Sequence, residues 1–310
     1  MAAHLAGGEM TYTCLGGNQY EIKLIVYRDC TDPFSTGLDP ANYTDIIVYN
    51  NQNNIITSVP IPDPITTFIN NETVGNDCLE LPTDLCVEQG IYIFNLDLPP
   101  IEGGYQIAYQ RCCRNPSIIN IENPADWGST YSVHIPGLDE VNECNSSPEF
   151  ISSPPLALCI GDQLNLNQSA LDPDGDSLVY SLTTPFHGAG NGDPGNPAPT
   201  ETSPPPFSLI PWEIGYSENY PMDSNPTIEI NSLSGIITGS PSQEGMYAIG
   251  IKVSEYRDGL LINEIIRDFR FLVVDCNVIT ASFPLSSWYC NSLTVEFTNN
   301  SDNADSYLWD

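Results

Sequence analysis

The chain has 310 residues, and its 40 acidic against 8 basic residues give a formal net charge of −32 and a pI of about 4.1. Nucleic acids and anionic membrane surfaces are bound through clustered lysine and arginine, so this charge excludes both classes of partner. The length is sufficient for about two domains, and no apolar run approaches the roughly 20 residues that a membrane-spanning helix needs.

Short runs rich in β-branched and aromatic residues predict strands along most of the chain. They cover residues 20–30, 44–50, 90–98, 104–113, 130–137, 176–182, 226–232, 246–259 and 265–276. Each run is bounded by glycine, proline, asparagine or aspartate, and the dipeptide Asp258-Gly259 predicts a hairpin turn. No stretch of about 12 residues has helical periodicity. The sequence therefore predicts an all-β protein built of sandwiches or barrels.

Composition divides the chain into three units. A polar, proline-rich segment at 142–155 separates a cysteine-rich first unit, residues 1–146, from a second unit, residues 147–276. A new strand pattern begins after residue 276, but residues 277–310 are too few for a complete sandwich. We therefore expect two sandwiches followed by a truncated third unit.

Ten cysteines in an acidic, lysine-poor chain favour disulfides and an oxidising compartment. They are Cys14, Cys30, Cys78, Cys86, Cys112, Cys113, Cys144, Cys159, Cys276 and Cys290. Zinc would need paired CxxC or CxxH spacings, which the sequence lacks. Cys112 and Cys113 are adjacent, so we expect each to pair with a different partner, and the rest of the connectivity stays open. Nearby Arg28, Arg111 and Arg114 are expected to pair with internal acids.

The sharpest chemical motif is the segment LDPDGDSLVY, in which Asp172, Asp174 and Asp176 alternate with Pro173 and Gly175. A tight loop can direct three such carboxylates at one point, and calcium prefers six to eight oxygen ligands. The segment is not an EF-hand, because its glycine is at the fourth position and a strand follows. The alternative is a solvated Asp-Gly turn that opens a strand.

A long glycine- and proline-rich loop at 183–206 has no periodicity, which is typical of either disorder or function. Just after it, the run IPWEIGYSENYP places Trp212, Tyr216 and Tyr220 at four-residue spacing. Such rings can stack on sugar faces or anchor a protein partner, so they are a candidate ligand-binding group. The alternative is that Trp212 fills the sandwich core.

Catalytic motifs are absent from the sequence, and we expect no enzymatic activity. His4, His134 and His187 show no paired-ligand spacing, and neither a GxSxG motif nor a P-loop occurs. His134 alternates within a predicted strand, which favours a position on the face of that strand. The many carboxylates reflect the composition and indicate no particular acid–base pair.

The aspartate segment and the downstream segment LSGIITGSPSQEGMY together resemble bacterial cadherin-like and immunoglobulin-like surface modules. The opening HLAGGEMTYTCLGGNQYEIKLIVYRDC looks like the first module of large secreted proteins of Bacteroidetes, which tend to carry PKD repeats and a sorting domain for type IX secretion and gliding. The tail TASFPLSSWYCNSLTVEFTNN is similar to the first half of a PKD domain. The resemblance implies tandem immunoglobulin-like or cadherin-like β-sandwiches, a PKD-like start at 277–310, and three aspartates that ligate calcium.

We expect a non-catalytic structural and adhesive region of a large bacterial surface protein, stiffened by disulfides and by calcium that fixes the angle between modules. The expected partners are neighbouring β-sandwich modules and a surface glycan or protein, with no nucleic acid and no direct membrane insertion. The alternative is a carbohydrate-binding accessory region of a secreted polysaccharide-degrading enzyme. The expected location is extracellular or cell-surface. The opening MAAHLAGGEM lacks the basic start and apolar core of a signal peptide, so we expect no such signal within this chain.

Overall fold

The computed structural model of the chain describes residues 5–31, 37–69, 79–80, 85–137, 139–141, 144–189, 202–278 and 300–301. Strands account for the regular structure of these ranges, together with a 3-10 turn at Pro124–Asp126, and no α-helix occurs in them. The predicted all-β class is confirmed. None of the described residues forms a helix that could cross a membrane.

Nineteen strands follow one another along the described chain. They are β1 (Leu5–Gly16), β2 (Gln19–Asp29), β3 (Asp45–Asn50), β4 (Ile55–Pro60), β5 (Ile65–Phe68), β6 (Leu79–Glu80), β7 (Val87–Asp97), β8 (Tyr105–Arg111), β9 (Ser129–Ile135), β10 (Glu149–Phe150), β11 (Leu158–Cys159), β12 (Leu164–Asn167), β13 (Ala170–Leu171), β14 (Ser177–Thr183), β15 (Glu229–Ile230), β16 (Ile236–Gly239), β17 (Gly245–Arg257), β18 (Leu260–Val274) and β19 (Asn277–Val278). All nine predicted strand runs overlap one of these strands.

The largest sheet combines strands from both ends of the chain, in the order β14-β17-β18-β1-β2-β7-β5, with the short β11 parallel to β18. A four-stranded sheet has the order β4-β3-β8-β9, and a three-stranded sheet has the order β12-β16-β15. Two short pairs, β10 with β13 and β6 with β19, complete the described pairing. The predicted hairpin is confirmed, because Asp258 and Gly259 connect β17 to β18 with φ angles of 52° and 80°.

The two parts of the large sheet meet at β1. It pairs with β2 along its whole length, while Gly7 and Gly8 pair with Phe269 and Asp268 of β18. The backbones approach so closely that a Cβ on Gly7 would lie 2.2 Å from the carbonyl oxygen of Asp268. A side chain at Gly7 would therefore separate the strands, and glycine keeps the sheet continuous.

Two apolar cores lie against the large sheet. The first core joins β1, β2 and β7 to the four-stranded sheet, and its fully buried side chains include Met10, Leu24, Tyr92, Ile107 and Val133. The second core joins β17 and β18 to the three-stranded sheet, and its buried side chains include Leu164, Ile237, Ile249 and Phe271. Sheets that enclose an apolar layer are the arrangement of β-sandwiches.

Disulfides connect distant segments of the chain. The bonded pairs are Cys14–Cys144, Cys30–Cys86, Cys159–Cys276 and Cys112–Cys113. The expectation that the adjacent Cys112 and Cys113 take different partners is wrong. The two sulfurs are bonded to each other, and the Cα atoms of the two residues lie 3.1 Å apart. Cys78 and Cys290 lie outside the described residues.

The predicted unit boundary at residue 146 lies within one connected set of strands. The pairing of β1 with β18 joins residues 1–146 and 147–276 in a single sheet. The long-range disulfides do not cross this boundary, because Cys14–Cys144 lies within the first unit and Cys159–Cys276 within the second. The division into units stays a prediction. Most of 277–310, the predicted PKD-like start, and residues 190–201 of the predicted long loop lie outside the described residues.

Candidate metal site

The aspartate motif forms a turn between β13 and β14. Asp172 Oδ1 accepts hydrogen bonds from the backbone N–H groups of Asp174 and Asp176, at 2.9 and 3.0 Å. Aspartate at the start of a turn commonly binds the backbone in this way, and Gly175 supplies the positive φ of 85° that the turn requires. Hydrogen bonds within the motif therefore stabilise the turn locally.

Glu255 of β17 completes the acidic cluster. Carboxylate oxygens of Asp172, Asp176 and Glu255 all lie within 4.8 Å of one another. The two chain segments meet because Leu178 of β14 pairs with Glu255, which places the aspartate turn beside it. We call these three residues the acidic triad.

Two oxygens of the triad are buried without a hydrogen-bond donor. Glu255 is 0% exposed, and its Oε1 accepts from Asn145 Nδ2 at 2.9 Å, but its Oε2 has no donor among the described residues. Asp172 Oδ2 is likewise buried and unpaired. Nδ2 of Asn263, the cross-strand neighbour of Glu255, is a buried donor on this carboxylate and lowers its pKa. Buried polar atoms ordinarily have partners, so this cluster has capacity for a further group.

Asp174 and Arg257 border the triad. Asp176 accepts from Arg257 Nε and Nη2 at 2.9 and 2.5 Å, so one of the three acids already has a cationic partner. Asp174 turns away, because its Oδ2 accepts from the backbone N–H of Ser146 at 2.7 Å and lies 3.9 Å from Arg257. The structure therefore brings together Asp172 and Asp176 of the predicted calcium ligands, adds Glu255, and directs Asp174 to a different role.

The charge in this region favours uptake of a positive group. Burial is the main reason that the pKa of Glu255 rises to about 8, and the nearby carboxylate of Asp172 raises it further. Burial also raises the pKa of Asp172. The hydrogen bonds and charge of Asp176 raise the pKa of Arg257, so this guanidinium stays charged. With a pKa of about 8, Glu255 holds a proton at neutral pH, and a bound cation would have to displace that proton.

The donor set suits a hard cation. All groups of the triad are carboxylates, which are common ligands of calcium. The unpaired oxygens of Asp172 and Glu255 are the atoms that would bind such an ion. Calcium takes six to eight oxygens, so the remaining ligands would have to be water or other nearby oxygens.

The segment 144–147, which we call the connector, lies between the aspartate turn and β1. Asn145, Ser146 and Ser147 are buried, with 3, 6 and 0% exposure. On the β1 side, the Ser147 N–H donates to the carbonyl oxygen of Tyr12 at 2.9 Å, and the Tyr12 N–H donates to Ser147 Oγ at 2.9 Å. On the other side, Asn145 donates to Glu255 and Ser146 donates to Asp174. The connector therefore joins the acidic residues to the first strand.

The predicted aromatic group is partly brought together. The rings of Tyr216 and Tyr220 stack at 6.4 Å, and the Tyr216 hydroxyl donates to Asp223 at 2.5 Å. Trp212 is half-buried, and its Nε1 donates to Thr184 Oγ1 at 3.0 Å. The tryptophan therefore neither belongs to the two main cores nor stands free on the surface.

The predicted internal ion pairs of the arginines are confirmed. Arg28 pairs with Glu88 at 3.0 Å, and the deeply buried pairs Arg111–Asp39 and Arg114–Asp268 have distances of 2.6 and 2.5 Å. Arg111 and Arg114 therefore neutralise acids that the fold removes from water, whereas the Arg28–Glu88 pair is half-buried.

Comparisons with protein-family models, with curated proteins and with solved structures each returned no match for this chain.

Glu255 was not predicted from the sequence, although a signal was present. Ile249, Ile251 and Val253 alternate on the buried face of β17, and Glu255 is the next residue of that series. A carboxylate at an inward position of a strand requires a partner. The periodicity could therefore have indicated a functional or structural role for this acid.

Proposed function

We propose that this chain is a non-catalytic structural and adhesive region of an extracellular modular protein, built of immunoglobulin-like or cadherin-like β-sandwiches. In this proposal a cation, calcium by the chemistry of its ligands, binds the acidic triad of Asp172, Asp176 and Glu255. The bound ion holds the connector and so limits movement between the strands on its two sides.

The observation that carries the proposal is the position of the connector. Its side chains and backbone bind Tyr12 on one side and Glu255 and Asp174 on the other, while Cys144 is bonded to Cys14 of β1. A cation at Asp172 and Glu255 would neutralise the acids that support this arrangement. The connector would then be held by an ion, a disulfide and hydrogen bonds together.

Cross-links and surface charge support the extracellular setting. Disulfides persist in oxidising compartments, and three of them connect residues 56 to 130 positions apart. A net charge of −32 keeps an extended surface protein soluble without a covering partner.

The described histidines have structural partners, which supports a non-catalytic role. His134 Nε2 lies 3.0 Å from Glu140 Oε2. His187 Nδ1 accepts from the backbone N–H of Gly128 at 3.1 Å.

Thermal unfolding with and without calcium tests the proposal. We expect millimolar calcium to raise the Tm of the wild-type chain by several degrees relative to excess chelator, because a ligand at a hundredfold excess over Kd stabilises the native state by about 2.7 kcal/mol. Asp172→Asn should abolish the rise. Asp162→Asn, a half-buried aspartate of the same unit, is the matched control and should retain it.

Two outcomes would reject the cation site. The first is an unchanged Tm in the wild-type chain over the whole calcium range. The second is an equal rise in the wild-type chain and in Asp172→Asn, which would indicate binding elsewhere on the acidic surface.

A further inference from the structure

A cleft of about 520 Å³ lies between the four-stranded sheet, the β17–β18 hairpin and the segment 205–207. We call it the hairpin cleft. Its volume is within the range of about 300–1,000 Å³ that is usual for sites of small ligands. Neither the acidic triad nor the stacked pair Tyr216 and Tyr220 lines the cleft, but Asn263, the cross-strand neighbour of Glu255, does.

One wall of the hairpin cleft is apolar and fixed. Phe186 and Phe207 contact each other edge to face, with ring centroids 5.6 Å apart, and both line the cleft. Phe207 also packs with buried Tyr49 and Ala108 of the four-stranded sheet. The segment that carries Phe207 is anchored upstream, because Gln110 and the backbone of Ser203 exchange two hydrogen bonds of 2.8 Å.

The floor of the hairpin cleft is polar. Gln106 of β8 pairs with His134 of β9, and Ser132 lies two residues before His134 on the same face. All three are half-exposed, whereas the alternating residues Ile107 and Val133 are fully buried in the first core. The rigid sheet therefore presents an amide, a hydroxyl and an imidazole in one direction.

The carboxylates of the hairpin cleft already have partners. Glu140 accepts from the backbone N–H of Gly137 at 2.8 Å and contacts His134. Glu264 pairs with Lys252 at 2.9 Å and accepts from Ser254 at 2.8 Å. Glu264 therefore has a cationic partner and Glu140 is hydrogen-bonded, and both can still accept further hydrogen bonds.

Charge and chemistry together select the ligand class. The field of a chain with net charge −32 opposes anionic ligands. An apolar wall facing fixed donors and acceptors suits a neutral molecule with both apolar faces and many hydroxyl groups. Because the sheet holds these side chains in place before binding, little conformational entropy would be lost when a ligand binds.

We propose that the hairpin cleft binds a neutral oligosaccharide, with Gln106, Ser132 and His134 hydrogen-bonding its hydroxyls and Phe186, supported by the buried Phe207, covering an apolar sugar face. This inference goes beyond the proposed stiffening role and does not depend on the cation site. It gives the adhesive part of the proposed function a location and a ligand class.

Titration with a panel of neutral di- to tetrasaccharides of glucose, mannose, galactose and xylose, followed by isothermal calorimetry and by ligand-observed NMR, tests the inference. We expect at least one sugar to bind the wild-type chain, and Gln106→Ala combined with His134→Ala to weaken that binding at least tenfold. Gln89→Ala, a half-exposed glutamine on a strand of the large sheet, is the matched control and should bind as the wild type does.

Three outcomes would overturn the inference. The first is that no sugar in the panel binds at 10 mM, although the chain is folded by circular dichroism. In the second, sugar binding is unchanged in the double variant but lost in Trp212→Ala, which would assign the sugar to the aromatic group. The third is binding of a proline-rich peptide at this cleft in place of every sugar.

The titrations are run in chelator and again in calcium, so that the two proposals fail separately. Loss of the calcium-dependent rise in Tm with sugar binding intact would reject only the cation site. An intact rise in Tm without sugar binding would reject only the oligosaccharide cleft.

Discussion

The fold buries the charge of four arginines, Arg111, Arg114, Arg267 and Arg270. Arg267 is 1% exposed and pairs with Glu9 of β1, which lies at the other end of the chain. Arg114 binds both oxygens of Asp268 and also donates to the carbonyl oxygens of Gly128 and Phe186. Such pairs add little net stability when intact, but removing one partner leaves a buried charge that is costly.

Replacing Asp268 by asparagine should therefore destabilise the protein strongly. We expect Asp268→Asn to lower the free energy of unfolding by about 3–5 kcal/mol, because Arg114 would remain charged and buried without its counter-ion. The measurement is urea unfolding followed by fluorescence.

Glu149→Gln is the control for that experiment. Glu149 pairs with Lys23 at 2.8 Å, but both side chains are about one-third exposed. An exposed pair contributes about 0–1 kcal/mol, so this variant should unfold almost as the wild type does. Equal effects of the two substitutions would contradict the assigned role of burial.

His187 connects the second half of the chain to the segment around Gly128. Its Nδ1 accepts from the Gly128 N–H, and its ring packs edge to face on Trp127 with centroids 4.9 Å apart. Burial lowers the pKa of His187, and the charge of Arg114 lowers it further. The neutral ring is therefore the form that the folded protein requires.

Acidification should weaken this contact. Because the folded pKa is below the ordinary value of about 6.5, the stabilisation from His187 is complete above pH 6.5 and is lost as the pH falls through the folded pKa. We expect the stability difference between the wild-type chain and His187→Gln to shrink between pH 8 and pH 5. A difference that stays constant or grows on acidification would disagree with the pKa direction.

At the scale of elements, the disulfides differ in how much chain they enclose. Cys159–Cys276 closes a separation of 117 residues and attaches β11 to the end of β18, whereas Cys112–Cys113 closes a separation of one. A cross-link stabilises mainly by restricting the unfolded chain, and the effect grows with loop length. The disulfides that close long loops therefore contribute most to the free energy of unfolding.

Two double variants separate these contributions. We expect Cys159→Ala with Cys276→Ala to lose about 2–5 kcal/mol of unfolding free energy. Cys112→Ala with Cys113→Ala removes two equally buried sulfurs but no long loop constraint, so its loss should be smaller. Denaturant unfolding of the purified variants measures both, and the reverse order of losses would contradict the loop-length argument.

Strands were predictable wherever a local pattern defined them. The runs that became β2, β7, β17 and β18 alternate clearly, and the Asp-Gly hairpin follows from turn chemistry. β1 was not predicted, because Gly7 and Gly8 interrupt its pattern. A Cβ at Gly7 would meet β18 and a Cβ at Gly8 would meet Tyr131 and Ile25, and only the fold creates these close approaches. Short β12 and β16 have too few residues for a pattern to be distinguished.

The candidate metal site was predictable only in its local part. Asp172 and Asp176 are neighbours in sequence and could be paired from the motif. Glu255 reaches them through the pairing of β14 with β17, a long-range contact that a motif does not contain. The role of Asp174 depends on the connector in the same way, since Ser146 comes from a distant segment.

The whole molecule combines a large negative charge with few compensating cations. The net charge is −32, and all eight basic residues are held in ion pairs with specific acids: Lys23, Lys252, Arg28, Arg111, Arg114, Arg257, Arg267 and Arg270. The remaining acids repel one another across the surface, and this repulsion opposes the compact state.

Screening that repulsion should stabilise the protein. Raising NaCl from 0.01 to 1 M shortens the Debye length from about 30 Å to about 3 Å, so we expect the Tm to rise steadily over this range in the presence of chelator. KCl, which screens equally, should give the same curve. A Tm that stays constant or falls with added salt would show that repulsion between surface acids does not measurably destabilise the folded state.

The place of β1 between β2 and β18 has a consequence for how the protein is made. Phe269 of β18 pairs with Gly7 of β1. At a synthesis rate of about 5–20 residues per second, roughly 10–50 s pass between the synthesis of β1 and that of β18. During that interval one side of β1 is an open strand edge, the kind of edge at which chains aggregate. Glu9 lies on this strand and has no Arg267 to neutralise it until β18 arrives. Glu9, which the folded protein buries in an ion pair, thus disfavours incorrect strand pairing at this edge while the chain is being synthesised.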